Sequence, residues 1–345
     1  MLDVFNSDVF GVVSLTEAIN KLPFKPYRLG DLGIFSKKGV RTTSVVVEER
    51  HGILQLVPTS ARNTNTQVSG GKVRQARSFI CPHIGLEDAV MADDVQNMRA
   101  FGTESDIEAV NDLVNDKLAD MRQSIEATHE WYRIGAIQGK VLDADGTTVI
   151  YDFFHEFGLT QQIYYFNFGQ SSAQGLGSTD NVKLTSHAIL RYMQDKLGAT
   201  PFDGIHAMCD SNFFDELTTC AEVKTAYNRF QESLFLLTAQ ARRAFEYAGI
   251  MWEEYRGFVG TQQFIPPNTA VFFPTGAPGL FVENYAPAPF IETVNTTGVP
   301  VYAKQERMKW DRGVELIVDS NPLVLATRPQ ALVLGSFASG IGSPA

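Results

Sequence analysis

From Ile107 onward, apolar side chains return at steps of three or four: Ile107, Val110, Val114, Leu118, Met121 and Ile125. That spacing draws a single stripe on an α-helix and predicts a helix from Ser105 to about Ile134. At about 1.5 Å per residue it is ~45 Å long. Ser105 and Glu108 form a capping-box pair at its start, and the acids of its first turns suit the helix dipole. Tyr132 continues the stripe, and Gly135 and Gly139 are expected to end it. A one-sided helix of this length needs a long surface to lie on, expected to be the chain's own β-layer.

Charge changes sign just before this helix. Between Arg50 and Leu86 there are five cations (Arg50, Arg62, Lys72, Arg74, Arg77) and no acid. From Glu87 to Asp120 ten acids face only Arg99 and Lys117. Residues 45–57 read as a hairpin, with β-branched Val45, Val46 and Val47, a turn at Gly52, and Leu54 and Leu56 alternating with Gln55. Thr59–Lys72 is almost wholly small and polar, and Val73–Ile80 resumes a strand, so the region is a long protruding β-loop. A basic loop and an acidic helix complement each other. They can meet between two copies, which would steer self-association, or within one copy, cancelling charge locally.

The first 44 residues read as an arm. Pro23, Pro26, Gly30, Gly33 and Gly39 interrupt every periodic run, so Phe5, Phe10, Phe24, Tyr27 and Phe35 must be covered by the chain's own body or by a neighbouring copy. Downstream, strands are expected at Thr148–Phe154 and Ile163–Phe168, then a Gly/Ser-rich loop at Gly169–Ser178. A second amphipathic helix carries Val182, Ile189, Met193 and Leu197. A strand at Ile205–Cys209, a helix from Ser211 and a helical run around Leu234–Arg243 follow. Later strands are expected near Phe245–Tyr255, Ala270–Phe273, Gly313–Asp319 and Leu323–Ala326. Separated strands without a βαβ rhythm argue an α+β fold.

Composition closes off several functions. A net charge of −10 opposes unspecific wrapping of nucleic acid. Cys81, Cys209 and Cys220 are too few for a disulfide scaffold and fit reduced thiols. The N-terminus lacks a basic signal region, and prolines break the long charge-free stretch Gly257–Val282, so a soluble protein made in the cytoplasm, with no membrane partner, is expected.

Catalytic patterns fail one by one. A zincin helix needs a second histidine four positions after the first, but Arg133 follows His129 and Leu159 follows His155. His206 and Cys209 have metal-like spacing, yet on a strand they point to opposite faces, and Cys209 reads as core. Gly169-Gln-Ser-Ser-Ala misses the nucleophile elbow, Gly175-Leu-Gly-Ser-Thr-Asp misses the dinucleotide fingerprint, and Gly71-Lys72 lacks the P-loop hydroxyl. The acid pair Asp93-Asp94 reads as a solvated face. No catalytic, cofactor or metal site is expected.

Several segments carry a family resemblance in order along the chain. They are Pro26-Tyr-Arg-Leu-Gly30, Gly52-Ile-Leu-Gln-Leu-Val-Pro58, Arg77-Ser-Phe-Ile-Cys-Pro-His83 and Ala92-Asp-Asp-Val-Gln96. Gly139-Lys-Val-Leu-Asp-Ala-Asp-Gly146, the run Ala244–Gly257, Phe272-Phe-Pro-Thr-Gly276 and the tail Asp319–Val333 complete the set. The chain resembles the E family of major capsid proteins of tailed bacteriophages, the lambda-type major head proteins, which have the Hong Kong 97 capsid fold. Collinearity over nearly the whole chain carries the resemblance.

The resemblance implies an N-terminal arm over 1–44 and an extended β-hairpin E-loop over 45–84. It implies a peripheral P domain over 85–185 with a spine helix at about 105–134, and an axial A domain over 186–312. The remainder, 313–345, would return through the P domain to the C-terminal tail. The implied function is mechanical. Hexamers and pentamers would assemble in the host cytoplasm into an icosahedral procapsid that expands as double-stranded DNA is packaged, ending in the virion capsid. Separate scaffold, portal and decoration proteins are the implied partners. Lys72 near the loop tip is the residue a covalent crosslink would use, but relatives that rely on a decoration protein imply none. Arg62, Lys72, Arg74 and Arg77 of the loop, and Asp112 and Asp116 of the helix, are the candidate subunit-contact residues. An encapsulin-like shell around cargo enzymes and an enzyme of new type are the competing readings.

Overall fold

The computed structural model describes residues 12–21, 27–51, 73–91, 93–94, 106–168, 181–198, 200–224, 244–259 and 262–337. Its helices are α1 (Val12–Lys21), α2 (Arg28–Leu32), α3 (Asp106–Gln138), α4 (Phe153–Phe157), α5 (Val182–Leu197) and α6 (Ser211–Thr219). Strands β1 (Ser36–Gly39), β2 (Ser44–His51), β3 (Val73–Ile80) and β4 (Ile84–Met91) precede α3. After it come β5 (Lys140–Leu142), β6 (Val149–Asp152), β7 (Gln162–Phe166), β8 (Gly204–Cys209), β9 (Ala244–Tyr247) and β10 (Ile250–Glu254). Next are β11 (Phe258–Val259), β12 (Gln262–Gln263), β13 (Thr269–Thr275) and β14 (Phe281–Tyr285). The last strands are β15 (Tyr302–Arg307), β16 (Gly313–Ser320), β17 (Pro322–Ala326) and β18 (Val333–Phe337). Among the described residues no helix is long and apolar enough to cross a membrane.

The 33-residue helix α3 is about 50 Å long and organises the subunit. Its stripe residues Val114, Leu118, Met121 and Ile125 are buried in one cluster with Val90, Val314, Leu316 and Val318. Those four belong to the inner face of the antiparallel sheet β15-β16-β4. The expected β-layer is therefore the chain's own. Further along, Tyr132, Ile134 and Ile137 enter a second cluster with Phe281, Leu323 and Leu325 of the sheet β1-β14-β17.

The helix outruns its expected end near Ile134. Gly135 lies inside it, and the absent Cβ makes room for the returning chain: a Cβ there would sit 2.9 Å from the Lys140 carbonyl oxygen and from the Val141 Cα. The reversal falls to Gly139, whose φ of +88° favours glycine. β5 then folds back along the last turn.

A six-stranded sheet, β7-β18-β13-β8-β10-β9, forms the other half of the fold. It is mixed, with the parallel pairs β8–β10 and β7–β18. Ile189 and Met193 of α5 and Phe213, Phe214 and Leu217 of α6 cover one face, packing on Ala207, Cys209, Trp252 and Phe272. Met208, Val271 and Phe273 point the other way, into the cluster around the end of α3. The expected opposite orientation of neighbouring strand residues thus holds, and Cys209 is a core residue.

Three local readings change. In place of the hairpin expected over 45–57, β2 pairs antiparallel with β3, setting Val45 against Phe79 and His51 against Val73. The strand expected through Phe154 stops at Asp152, because its carboxylate caps a short helix at His155 N–H (3.1 Å) and turns Phe153 and Phe154 into the core. The strand expected over Phe245–Tyr255 is a hairpin, β9–β10, reversed by Ala248 and Gly249, both at positive φ. The readings at Gly169–Ser178 and Leu234–Arg243, the cap Ser105, and Phe5, Phe10 and Phe24 fall outside the described residues.

The described parts of the arm rest on their own subunit. Leu15 and Ile19 of α1 join the α3 cluster. Thr16 Oγ1 accepts from Ala303 N–H at 3.2 Å, and Asn20 Nδ2 donates to the Val301 carbonyl at 2.8 Å. Phe35 packs on Phe281 with ring centroids 5.1 Å apart, and β1 runs parallel to β14.

Candidate functional site

Among the described residues no group of three or more His, Cys, Asp or Glu side chains is placed to hold a metal ion. Two of the three histidines with metal-like spacing, His129 and His206, make structural contacts. His206 Nε2 lies 2.9 Å from Glu253 Oε2, with its ring stacked on Phe273. His129 Nε2 lies 2.8 Å from Ser320 Oγ. His155 is exposed on α4.

His129 and His206 belong to a buried ionic core that ties the first helices to the body. Along α3, Arg122, Glu126, His129, Glu130 and Arg133 are all buried. Arg133 grips Glu283 of β14 through two hydrogen bonds, Nη2–Oε1 at 2.8 Å and Nε–Oε2 at 3.1 Å. Tyr285 donates its hydroxyl to the same carboxylate at 2.7 Å. Glu130 accepts from Leu29 N–H (2.6 Å) and Gly30 N–H (3.3 Å), which fastens the start of α2 to α3. Arg28 is bidentate to Glu253 at 2.5 and 2.7 Å. Burial would raise the Glu283 carboxyl, but Arg133 outweighs it and holds the group below its ordinary value. At Glu253 burial is likewise overcome, by the hydrogen bonds from His206 and Arg28. Glu130 goes the other way: burial raises it, and its backbone donors only partly compensate.

His129 gives this core a pH signature. Burial pushes its imidazole down to about 3 from an ordinary 6.5, so it is neutral when folded and takes up a proton only on unfolding. The unfolded chain binds the extra proton below pH 6.5, so stability present above that pH is lost as pH falls, by up to about 1.4 kcal/mol per pH unit. Between pH 6.5 and 5 melting temperature should fall more steeply in wild type than in His129→Gln, which shares the buried carboxylates Glu126 and Glu130 and so cancels their titration. Parallel slopes would remove His129 as the cause.

The candidate contact residues separate into distinct places. Arg62 and Lys72 lie outside the described residues. Arg74 stands on β3 opposite Arg50 in the ladder, and Asp112 lies on α3; the side chains of both are outside the described set. Arg77 is turned onto its own subunit: its Nε donates to the Glu156 carbonyl at 2.8 Å, and its guanidinium sits 4.5 Å from the centre of the Phe157 ring. Asp116 is exposed on α3. Neighbouring Lys117 is used internally, bonding Asp88 of β4 at 3.0 Å. Further along α3, Asp120, Gln123 and Trp131 border a groove of about 670 Å³ that Phe258 and Phe264 also line.

Nearly the whole of this architecture is matched by known proteins. Residues 11–336 match the family described as phage major capsid protein E. The chain belongs to that family. It is 29% identical to the major capsid protein of Pseudomonas phage KPP10, over 95% of this chain and 97% of that one. It is 25% identical to the major capsid protein of Salmonella phage Felix O1, over 94% and 95% of the two chains. In structure it is similar to a prophage protein from E. coli CFT073 assigned to the capsid, with a TM-score of 0.58, 14% identity, and coverage of 95% of this chain and 99% of that one. The subunit is thus a phage major capsid protein with the Hong Kong 97-type fold, a structural component of the virion and not an enzyme. Membership sets aside both the encapsulin-like and the enzymatic readings.

The ionic core was missed in the sequence, although a signal is present. Arg122, Glu126, His129 and Arg133 continue the three-and-four spacing of the apolar stripe, so charges occupy positions that a one-sided helix turns inward.

Proposed function

We propose that this subunit closes, as hexamers and pentamers, into an icosahedral shell around double-stranded DNA, forming first as a procapsid that expands on packaging. Separate scaffold, portal and decoration proteins act with it. In this reading residues 1–44 are the arm, 45–84 the E-loop, 85–185 the P domain built on α3, 186–312 the A domain, and 313–345 the returning tail.

One observation carries the reading: the stem β2–β3, with Arg74 on β3, leads into a segment bearing Arg62 and Lys72 without an acid, while α3 exposes Asp116 and Asp120. Arg77 of the stem and Lys117 of the helix are already used within the subunit. The remaining loop cations are therefore assigned to the acidic face of a neighbour, with Asp112 and Asp116 as their partners.

The test reverses Lys72 and Arg74 to Glu and leaves Arg77 alone, since its reversal would disturb contacts inside the subunit. Cations that serve a neighbour contribute little to the free subunit's stability, so melting temperature should stay within a few degrees. Repeated like-charge contacts across the shell should abolish assembly, as seen by sedimentation and negative-stain microscopy. Asp112→Lys with Asp116→Lys should restore shells, and wild-type assembly should weaken as salt screens the attraction. Normal shells from the loop variant, with a lowered melting temperature, would place the loop on its own helix instead.

A further inference from the structure

The β15–β16 hairpin reverses between Met308 and Gly313, where Met308 N–H donates to the Gly313 carbonyl at 3.0 Å. Within that turn Trp310 has a φ of 69° and is 87% exposed. Left-handed backbone is unfavourable for a bulky L-residue, and glycine or asparagine would make the same turn with less strain. An exposed indole gains nothing in return inside the subunit. Around it the sequence reads Arg307-Met-Lys-Trp-Asp-Arg312, three cations to one acid in a chain of net charge −10. Lys309 and Arg312 are exposed.

The outer face of the same sheet has the opposite character. The ladder sets Glu306 directly against Glu315, a like-charge cross-strand pair, and Glu87 against Ile317 on the next strand. Lys304 on this face is engaged with Glu292 at 3.0 Å. These side chains surround a groove of about 510 Å³ with Phe290, Met308 and Ile317 in its lining.

We infer that Trp310 is an anchor that seats in this groove on a second copy of the chain, with Lys309 and Arg312 meeting that copy's Glu306 and Glu315. The contact rests on the self-assembling reading above and adds a second, independent surface to it. Tryptophan is among the side chains enriched at the energetic centres of such contacts, and it buries roughly 150–250 Å² when seated. Knob and groove lie on one hairpin, so two copies can exchange them reciprocally, or several can pass them around a closed ring. An aromatic among cations also fits single-stranded nucleic acid. The glutamates beside the tip would repel phosphates, which favours the acidic groove as its partner.

Trp310→Gly removes the anchor and suits the left-handed turn. Its free subunit should melt at or above the wild-type temperature, while assembly should need at least a tenfold higher subunit concentration. In a Cys81→Ser background, mixing Trp310→Cys subunits with Ile317→Cys subunits under mild oxidation should give disulfide-linked dimers. Wild-type assembly behaviour in Trp310→Gly together with no linked dimer would overturn the contact. So would a Trp310→Gly free subunit melting well below wild type, because Trp310 would then serve its own subunit. If wild type retards a single-stranded oligonucleotide and Trp310→Gly does not, with no link formed, the tip binds nucleic acid and the inference falls. Linked dimers without any wild-type shells would keep the contact and remove the shell reading; absence of both would remove both.

Discussion

Arg133→Met should destabilise the unassembled subunit by about 3–5 kcal/mol, the usual cost of stranding one partner of a buried ion pair. The loss is large because Glu283 has no exposed surface and takes two of its hydrogen bonds from the Arg133 guanidinium. Tyr285 supplies a third, but a neutral hydroxyl does not replace a positive charge. Glu130, 3.5 Å from the same guanidinium, would lose its nearest cation as well, and with it part of what fastens Leu29 and Gly30. The damage should therefore extend to the arm, and limited proteolysis of the variant should cut within residues 1–40 sooner than in wild type. The double variant Arg133→Met with Glu283→Leu should recover much of the loss, because a buried pair replaced by apolar side chains of similar size is often close to neutral. Urea unfolding of wild type, both single variants and the double variant forms a thermodynamic cycle that isolates the pair. A loss under 1 kcal/mol for Arg133→Met would mean that Glu283 finds another partner or takes up a proton cheaply.

Legibility in the sequence followed the range of the interaction. The stripe from Val114 to Ile125 depends only on residues three and four apart, and both its helix and its buried side were readable. Pairing between distant segments was not. Val45 has the same β-branched character whether it faces Leu56 or Phe79, and nothing local chooses β3 as the partner of β2. By propensity Gly135 reads as a stop, whereas it serves the close return of Lys140 and Val141. Charges were the hardest to place, because a sequence records their sign but not their depth. Arg77 and Arg74 look equivalent in the basic stretch, yet Arg77 has Phe157 and the Glu156 carbonyl of its own subunit. Arg133 enters the sequence reading only as the residue that fails the zincin spacing, and it is the centre of the buried core.

Met121→Asp should prevent the subunit from folding at 37 °C. Met121 is 7% exposed, one helical turn from both Leu118 and Ile125, in the cluster that joins α3 to the β15-β16-β4 sheet. Two losses combine there. Removing the long apolar side chain costs about 2–5 kcal/mol in a packed core. The new carboxylate must then either stay charged among Val90, Leu316 and Val318 or bind a proton at neutral pH, and each adds several kcal/mol. Against a total stability of roughly 5–15 kcal/mol for a typical domain, the sum leaves little or no folded population. Met121→Leu is the control; it keeps volume and polarity and should cost under about 1.5 kcal/mol. Loss of folding, rather than of assembly alone, separates this site from the subunit contacts, because every side chain in the cluster belongs to one chain. Circular dichroism of the expressed variant, compared with Met121→Leu, checks the outcome. A Met121→Asp subunit that melts like wild type and still forms shells would show that α3 does not carry its stripe against the sheet.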